Sequence, residues 1–417
     1  MIHAVIGRLA SPALPRGRTG LAAVVVTLIT LAIAPATLAQ APAEGETRTG
    51  VIEAQQQEKA GKLAPYEPNS AEMWVKKLEE MFLTGNMKWH PFFTSAYGGG
   101  GFTLGAGYLT RVRDYDTFDV RGSYTFSNYK RLEAEYIAPR LFDRRGRLSV
   151  LGGWREAPQV NFFGTGNDSD QDARSNYGFR QPYLAGLLEV RPTRGPLVLT
   201  GGAEFSQWDQ FPGEGDTPTV GDAFPGVSGL NTKVTYLHTQ GSVAIDTRLS
   251  PEYARRGGYY GVTLHHYGDQ DDAYTFEQVN YEAIQHIPVL RDAWVISLRG
   301  RVETTMRDND DEVPFFMLPG LGSGSNLRGY QNLRFRDRHS LLMQAEWRIL
   351  VNSFIDTAIF FDAGKVAARK SDLDFNDLHT DFGIGFRLHG PLATPVRIEL
   401  AKGSEGFNLV FAASASF

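Results

Sequence analysis

Apolar and polar residues alternate with a period of two over most of the chain from Lys88 to Phe417. In a β-strand successive side chains point to opposite faces, so this period indicates strands. The pattern is clearest in segment 407–417, where one face carries Phe407, Leu409, Phe411, Ala413, Ala415 and Phe417. We therefore predict an all-β architecture for residues 88–417.

The lengths of the strands and of their connections indicate which all-β class this is. The strand-like segments are often about ten residues or longer, as an inclined membrane strand requires. A soluble β-sandwich also alternates, but it has shorter strands at regular spacing. Tight connections such as 191–195 alternate with long ones such as 209–230 and 307–338. This is typical of a membrane-spanning antiparallel β-barrel; we predict about sixteen strands, an even number, the first at 89–97.

The hydrogen-bonding needs of the backbone also predict a closed barrel. Lipid offers no hydrogen-bond partner, so an open sheet edge at membrane depth is costly and the sheet must close. A barrel of about sixteen strands encloses a wide polar lumen. Segment 307–338 is the longest connection and is rich in glycine, and we expect it to fold inward and to gate this lumen.

The N-terminal segment has the order of a secretory signal peptide. An apolar run at 21–34 follows Arg8, Arg16 and Arg18 and precedes small residues at 37–41. The run is too short for a membrane-spanning helix, which needs about twenty apolar residues. We predict a signal peptide at 1–39, with an uncleaved anchor as the alternative.

Composition and charge bear on three features: a nucleic-acid partner, disulfides and thiolate metal sites. The formal charge is −5, and removal of the predicted signal peptide takes away three arginines and no acid, which makes it about −8. Nothing in this balance suggests a nucleic-acid partner. The absence of cysteine excludes disulfides and thiolate metal sites.

Residues 40–87 are predicted to be a flexible periplasmic tail, because they begin with a stretch rich in Ala, Glu, Gln and Pro. Asn69 can cap a short helix, with Glu72 three residues later as in a capping box. Its apolar positions fall near one face: Trp74, Leu78, Met81 and Phe82. We expect a small amphipathic helix over an apolar edge, or a plug or docking helix at the barrel mouth.

One arginine and two acids suggest that the long loop is fixed to the wall. Arg328 ends the glycine-rich part of loop 307–338. Glu346 alternates with apolar neighbours on the next strand, and Asp362 does so on the one after it. Both acids are predicted to point into the lumen, where the arginine fork could bond a carboxylate bidentately. The alternative is that each charge is simply solvated, in which case the pair is worth under about 1 kcal/mol.

These residues also carry a family resemblance. Leu-Arg-Gly-Tyr at 327–330 resembles the Val/Ile-Arg-Gly-Phe/Tyr motif in the sixth external loop of the BamA/TamA superfamily, of bacterial surface antigen type. Ala-Glu at 345–346 and Phe-Asp-Ala-Gly at 361–364 are similar to the strand motifs that follow it. Segment 162–168 resembles a further loop motif, and the resemblance covers residues 88–417.

The resemblance implies roles for individual residues. Arg328, with Gly329 and Tyr330, would be the loop latch, and Glu346 and Asp362 would receive it. The first and last strands, at 89–97 and 407–417, would form a weak lateral seam. Phe417, on the lipid-facing register, would be the signal that the barrel-insertion machinery reads, which is compatible with a place in the aromatic girdle.

The resemblance also implies a role in biogenesis of the Gram-negative outer membrane, by insertion or translocation of protein or lipid. The expected partners are outer-membrane lipid and lipopolysaccharide, the insertion machinery, and a client or periplasmic protein. Family insertases carry POTRA domains before the barrel, whereas only a tail and a short helix are predicted here. The alternatives are a gated channel or secretion pore, or a membrane anchor for a separate periplasmic partner that docks on 40–88.

Signs of an enzyme are poor. The chain has neither G-x-S-x-G nor H-E-x-x-H. His265 and His266, followed by Asp269, Asp271 and Asp272, could form an acid/base or metal group, and a hydrolase is the third hypothesis, although such clusters are usually solvated. The acidic segment 308–312 could bind divalent cations, but a solvated loop is favoured. We predict no catalytic residue, no metal and no cofactor.

Overall fold

The computed structural model describes residues 52, 53, 56, 58, 88–290, 293–307, 312–352, 354–390, 394, 396–412 and 417. The predicted signal peptide, the predicted amphipathic helix, most of the tail and most of the acidic segment 308–312 lie outside the described residues. Within the described ranges, no helix is long and apolar enough to cross a membrane.

Among the described residues, sixteen strands form one antiparallel sheet in which neighbours in the chain are neighbours in space, as predicted. They are β1 Trp89–Pro91, β2 Thr103–Arg111, β3 Thr117–Thr125, β4 Lys130–Arg140, β5 Gly146–Phe162, β6 Ser175–Val190, β7 Leu197–Pro212, β8 Lys233–Asp246, β9 Gly257–Asp269, β10 Phe276–Pro288, β11 Trp294–Met306, β14 His339–Asn352, β15 Ile355–Ala367, β16 His379–Leu388, β17 Val396–Gly403 and β18 Gly406–Ala412. Between β11 and β14, a separate two-stranded sheet joins β12 Gly320–Leu321 to β13 Phe335–Arg336.

The described helices are short. Four-residue helices lie at Leu141–Arg144 and Val220–Ala223. Single 3-10 turns lie at Pro251–Tyr253, Phe315–Met317 and Lys370–Asp372.

The two faces of the sheet differ in polarity, as contact with lipid on one side and with the lumen on the other requires. In β17, Ile398 and Leu400 are exposed, whereas Arg397, Glu399 and Ala401 are buried. The outward face is apolar and the inward face is largely polar, which is the reverse of a soluble sheet packed on a core. Alternation of this kind is that of a membrane barrel strand.

The interior of the barrel is packed at one end. Its main apolar cluster lies at the ends of the strands from which the long connections leave, and its residues include Phe162, Tyr177, Phe179, Trp208, Phe315 and Phe316. Phe315 and Phe316 belong to loop 307–338, so this loop fills the lumen at that end. The fold therefore has the inward-folded sixth loop that the sequence predicts.

The first strand is shorter than predicted, and the expected extent of 89–97 is wrong beyond Pro91. Proline has no N–H for a further ladder bond. The following residues turn inward, where the Ser95 carbonyl accepts from Arg131 Nη1 at 2.9 Å and Ala96 is only 1% exposed. Among the described residues, β1 pairs with β2 alone and has no ladder to β18.

Candidate functional site

Loop 307–338 is held to the wall by its own fold before any charge is considered. The β12–β13 pair joins its two arms, with Gly320 opposite Arg336 and Leu321 opposite Phe335. Leu321 and Leu327 are fully buried against Leu342 of β14. This apolar contact brings the following residue, Arg328, to the inner surface of the sheet.

Arg328 makes a bidentate contact with Asp362 of β15. Its Nε lies 2.8 Å from Oδ2 and its Nη2 lies 2.7 Å from Oδ1. The backbone N–H of Arg328 also donates to Oδ2, at 3.2 Å. Both side chains are 0% exposed. This is the fork-to-fork arrangement in which an arginine–carboxylate bond is strongest and most directional.

The same guanidinium reaches two more acids. Its Nη1 lies 3.0 Å from Glu346 Oε2 on β14 and 3.1 Å from Glu399 Oε1 on β17. The group is centred 3.5 Å from the ring of Phe360, which adds a cation–π contact. Arg328 thus ties the loop to three strands, and its buried charge is compensated on all sides.

Wall arginines complete the network. Arg387 Nη1 donates to Glu346 Oε1 at 2.6 Å, and its Nη2 lies 2.9 Å from Glu399 Oε1. Arg397 Nη1 donates to Glu399 Oε2 at 2.8 Å. Arg348 Nε also lies 3.7 Å from Glu346 Oε1, so four arginines share the three acids. Sequence analysis missed the roles of Glu399, Arg387 and Arg397, although each alternates with apolar neighbours on its strand.

Gly329 and Tyr330 fit tightly beside the arginine. A Cβ on Gly329 would lie 2.5 Å from Asp381 Cβ and 2.7 Å from the Gly403 backbone nitrogen. The Tyr330 hydroxyl donates to the Thr380 carbonyl at 3.1 Å, and the residue is 2% exposed. Glycine is therefore required for the close approach of the loop to β16 and β17.

The loop motif at 162–168 joins three external connections. Asn167 Nδ2 donates to the Asp377 carbonyl at 2.8 Å, and Asn167 Oδ1 accepts from Val366 N at 3.1 Å. The Gly166 N–H donates to the Arg336 carbonyl at 2.8 Å. Connections 163–174, 307–338 and 368–378 therefore hold one another.

Arg334 is a second point of attachment for the long loop. Its Nε lies 2.7 Å from Glu405 Oε1, and its Nη2 donates to the Ser169 carbonyl at 2.6 Å. Sequence analysis did not single it out. Arg334 follows the Arg-Gly-Tyr motif closely, and its charge within a glycine-rich loop was the available signal.

Phe417 is placed differently from the expectation of a lipid-facing register. Its ring centroid lies 6.3 Å from that of His286, and Arg299 Cζ lies 5.9 Å from the same ring. Both partners belong to the inner face of the wall. Among the described residues, the last pair of the β17–β18 ladder joins Ala412 to Arg397.

The histidine cluster does not form one site. His265 Nδ1 lies 3.0 Å from His238 Nε2, whereas His266 lies 3.7 Å from Glu277. Adjacent strand residues point to opposite faces, so His265 and His266 cannot converge on one ligand. No group of three or more His, Asp or Glu side chains in the described part of the chain could hold a metal ion.

Comparison with known proteins agrees with this architecture. The family model described as the Omp85 superfamily domain matches residues 116–408, more than half of the chain. A search of the curated proteins finds no match.

Solved structures with a similar fold include BamA from Haemophilus ducreyi lacking POTRA domains 1–3, with a TM-score of 0.56 and 15% identity. The match covers 76% of this chain and 68% of the BamA chain. A weaker match is CdiB from Acinetobacter baumannii, with a TM-score of 0.48 and 9% identity over 74% of this chain and 56% of the CdiB chain. The chain therefore belongs to the Omp85 superfamily, a family of non-enzymatic β-barrel proteins of the Gram-negative outer membrane that insert or translocate other molecules.

Proposed function

We propose that this barrel inserts or translocates protein or lipid at the outer membrane, through a lumen whose external end is gated by loop 307–338. Family membership supports insertion or translocation in general. The observation that carries the gate is the complete burial of Arg328 among Asp362, Glu346 and Glu399. Arg328, Gly329 and Tyr330 act as the latch, and Glu346 and Asp362 receive it.

The energetics favour a closed resting state. Removing one partner of a buried ion pair typically costs about 3–5 kcal/mol, because the other charge remains without compensation. An open state that lies this far above the closed one is populated at less than about 1%. The loop is therefore closed by default and moves when a client or partner stabilises the open arrangement.

A lateral seam between β1 and β18 is the second part of the proposal. Among the described residues, β1 pairs with β2 at Trp89–Pro91 and has no ladder to β18. Two strand edges that share no ladder bonds separate at low cost. Phe417 serves as the insertion signal during assembly of the barrel itself.

The proposed partners follow from the outer-membrane location of the barrel and from the proposed lateral seam. Outer-membrane lipid and lipopolysaccharide surround the wall, and a client polypeptide or a periplasmic protein delivers or receives the cargo. A gated channel, a secretion pore or a membrane anchor for a separate periplasmic partner are the other outcomes of the test.

Depletion of the protein tests the biogenesis role. We expect reduced levels of other barrels or of surface lipopolysaccharide, with rescue by the wild type and by Arg369→Ala, whose ion pair with Asp372 is exposed. Rescue by Arg328→Ala should be impaired. Unchanged barrel and lipid levels on depletion would exclude the role. In a planar bilayer, larger or noisier conductance with Arg328→Ala supports a gate, whereas silence in both forms argues against a lumenal path.

A further inference from the structure

The opposite end of the barrel has a connection that does not stay at the rim. Residues 247–256 join β8 to β9 and contain the 3-10 turn Pro251–Tyr253. Tyr253 is 8% exposed and Ala254 is 3% exposed. Their partners lie on β14, on β15 and after β16, several strands around the sheet from β8 and β9. The turn therefore reaches across the mouth of the barrel to a distant part of the wall.

Tyr253 is held there by two polar groups. Its hydroxyl donates to Asp356 Oδ2 at 2.8 Å and lies 3.0 Å from His389 Nε2. The Tyr253 and His389 rings stack with centroids 4.0 Å apart and planes 11° apart. His389 Nε2 in turn lies 3.2 Å from Asp356 Oδ1, and the side chains of this histidine and this acid are each 4% exposed.

The backbone of the turn is held as well. The Ala254 carbonyl accepts from Arg348 Nη2. The same nitrogen lies 3.2 Å from Ser297 Oγ and 3.4 Å from His286 Nδ1. His286 carries the stacked ring of Phe417. The turn and the C-terminal residue thus adjoin one cluster of inner-wall groups.

We propose that turn 247–256 is a plug that closes the periplasmic mouth of the lumen, independently of loop 307–338. Connections of an antiparallel sheet alternate between its two ends, so 247–256 lies at the end opposite to loop 307–338, which is the periplasmic side of an outer-membrane barrel. A turn that buries a tyrosine and a backbone carbonyl against the far wall must lose considerable conformational freedom. A set of charge-assisted bonds at its tip offsets that loss.

The consequence is a lumen with two closures in series. Arg328 holds the external one, and Tyr253 with Ala254 holds the periplasmic one. Passage of a client requires both to move, whereas displacement of one loop alone raises the conductance for small ions by less than displacement of both. The plug is built from residues of this chain and needs no separate protein to occupy the mouth.

Access to a lumenal cysteine tests the plug. The chain has no cysteine, so Gln240→Cys introduces a single reporter, in a cavity of about 290 Å³ that also contacts Glu204 and His238. The probe is a sulfonated maleimide dye too large for porins. Intact cells offer it only the external face, whereas outer-membrane fragments offer both faces.

We expect Tyr253→Ala to raise the labelling rate in fragments by at least about tenfold, which corresponds to about 1.4 kcal/mol, and to leave the rate in intact cells unchanged. Tyr253→Phe keeps the ring and removes the hydroxyl, so it should give a smaller rise. Leu249→Ala is the matched control, since Leu249 lies on the same turn and is 86% exposed.

Folding is checked by the faster migration of the unheated barrel in a detergent gel. Fragment labelling at the wild-type rate in a folded Tyr253→Ala variant overturns the plug, and if that variant does not fold, the same result with Tyr253→Phe does so. Loss of the biogenesis role would appear instead in the depletion experiment and leaves these labelling rates as they are.

Discussion

Asn408 Nδ2 lies 2.8 Å from the carbonyl oxygen of Arg328 and 3.2 Å from that of Tyr330. Asn408 belongs to β18, the last strand of the sheet and one side of the proposed seam. The backbone of the latch is therefore bonded to the strand that would have to move for the barrel to open sideways. A change at either place alters the contacts of the other, which couples them.

Asn408→Ala should loosen the latch without removing any of its charges. The two carbonyls lose a buried donor, and each unsatisfied polar group costs about 1–3 kcal/mol. We expect faster protease cleavage within loop 307–338 and a lower temperature at which the folded form disappears from a detergent gel. Leu409→Ala, on the lipid-facing side of the same strand, should leave cleavage of the loop unchanged. Equal protection in Asn408→Ala and the wild type would contradict the coupling.

Arg328→Lys should fail to replace arginine although it keeps the charge. A lysine ammonium is a single point donor and cannot form the two parallel bonds to Asp362 while also contacting Glu346 and Glu399. We expect Arg328→Ala to lower the free energy of unfolding by about 3–5 kcal/mol and Arg328→Lys to lower it by less. The measurement is urea unfolding in lipid vesicles. Arg369→Ala is the control, since its ion pair with Asp372 is exposed to solvent and should contribute little to stability.

Neutralising Asp362 should partly reverse the loss of stability that Arg328→Ala causes. In that variant Asp362 is buried without its fork, and most of the cost comes from this uncompensated charge. The double variant, Arg328→Ala with Asp362→Asn, should therefore lose less stability than the sum of the losses in the two single variants. Additive losses in urea unfolding would show that the two residues do not act as a pair.

The arginine and two of its acids could be predicted from sequence, whereas the complete site could not. Glu346 and Asp362 each alternate with apolar neighbours, which fixes the face to which they point. Glu399 has the same signal between Ile398 and Leu400, but many lumenal charges share it. Which of them meet depends on the stagger of β17 against β14, and a period of two carries no information on stagger.

The fold, like the site, could be predicted from the sequence only in part. Strand number and the division into outer and inner faces follow from the period of two. The early end of β1 depends on the inward turn after Pro91, and the plug depends on how Tyr253 reaches His389 across the barrel. Contacts between distant parts of the chain leave no local pattern, so neither could be foreseen.

Gly329→Ala should destabilise the latch through backbone contact rather than charge. The added Cβ would lie 2.7 Å from the Gly403 nitrogen, and a backbone atom cannot move aside as a side-chain tip can. Overpacking of this kind costs about 1–3 kcal/mol. We expect a lower midpoint in urea unfolding. Gly226→Ala is the matched control in another external loop, since its Cβ would meet nothing within 4 Å; equal midpoints for the two variants would contradict the tight fit.

The external connection 368–378 should stay attached to the wall down to low pH. Lys365 Nζ lies 2.8 Å from Asp374 Oδ1, and this bond, with help from Asn376, lowers the pKa of Asp374 to about 2 from an ordinary value of 3.8. Because the folded-state pKa is depressed, the contribution of Asp374 to stability is complete above about pH 4 and is lost as the pH falls through about 2.

A carboxyl NMR titration of the barrel in detergent measures this pKa. Lys365→Met should move the Asp374 midpoint up toward 3.8, because the hydrogen bond from Lys365, the largest cause of the lowered pKa, is then absent. Arg369→Ala keeps the lysine and should leave the midpoint near 2. An unchanged midpoint in Lys365→Met would mean that Asn376 alone holds the carboxylate, and the connection would then be anchored within itself rather than to β15.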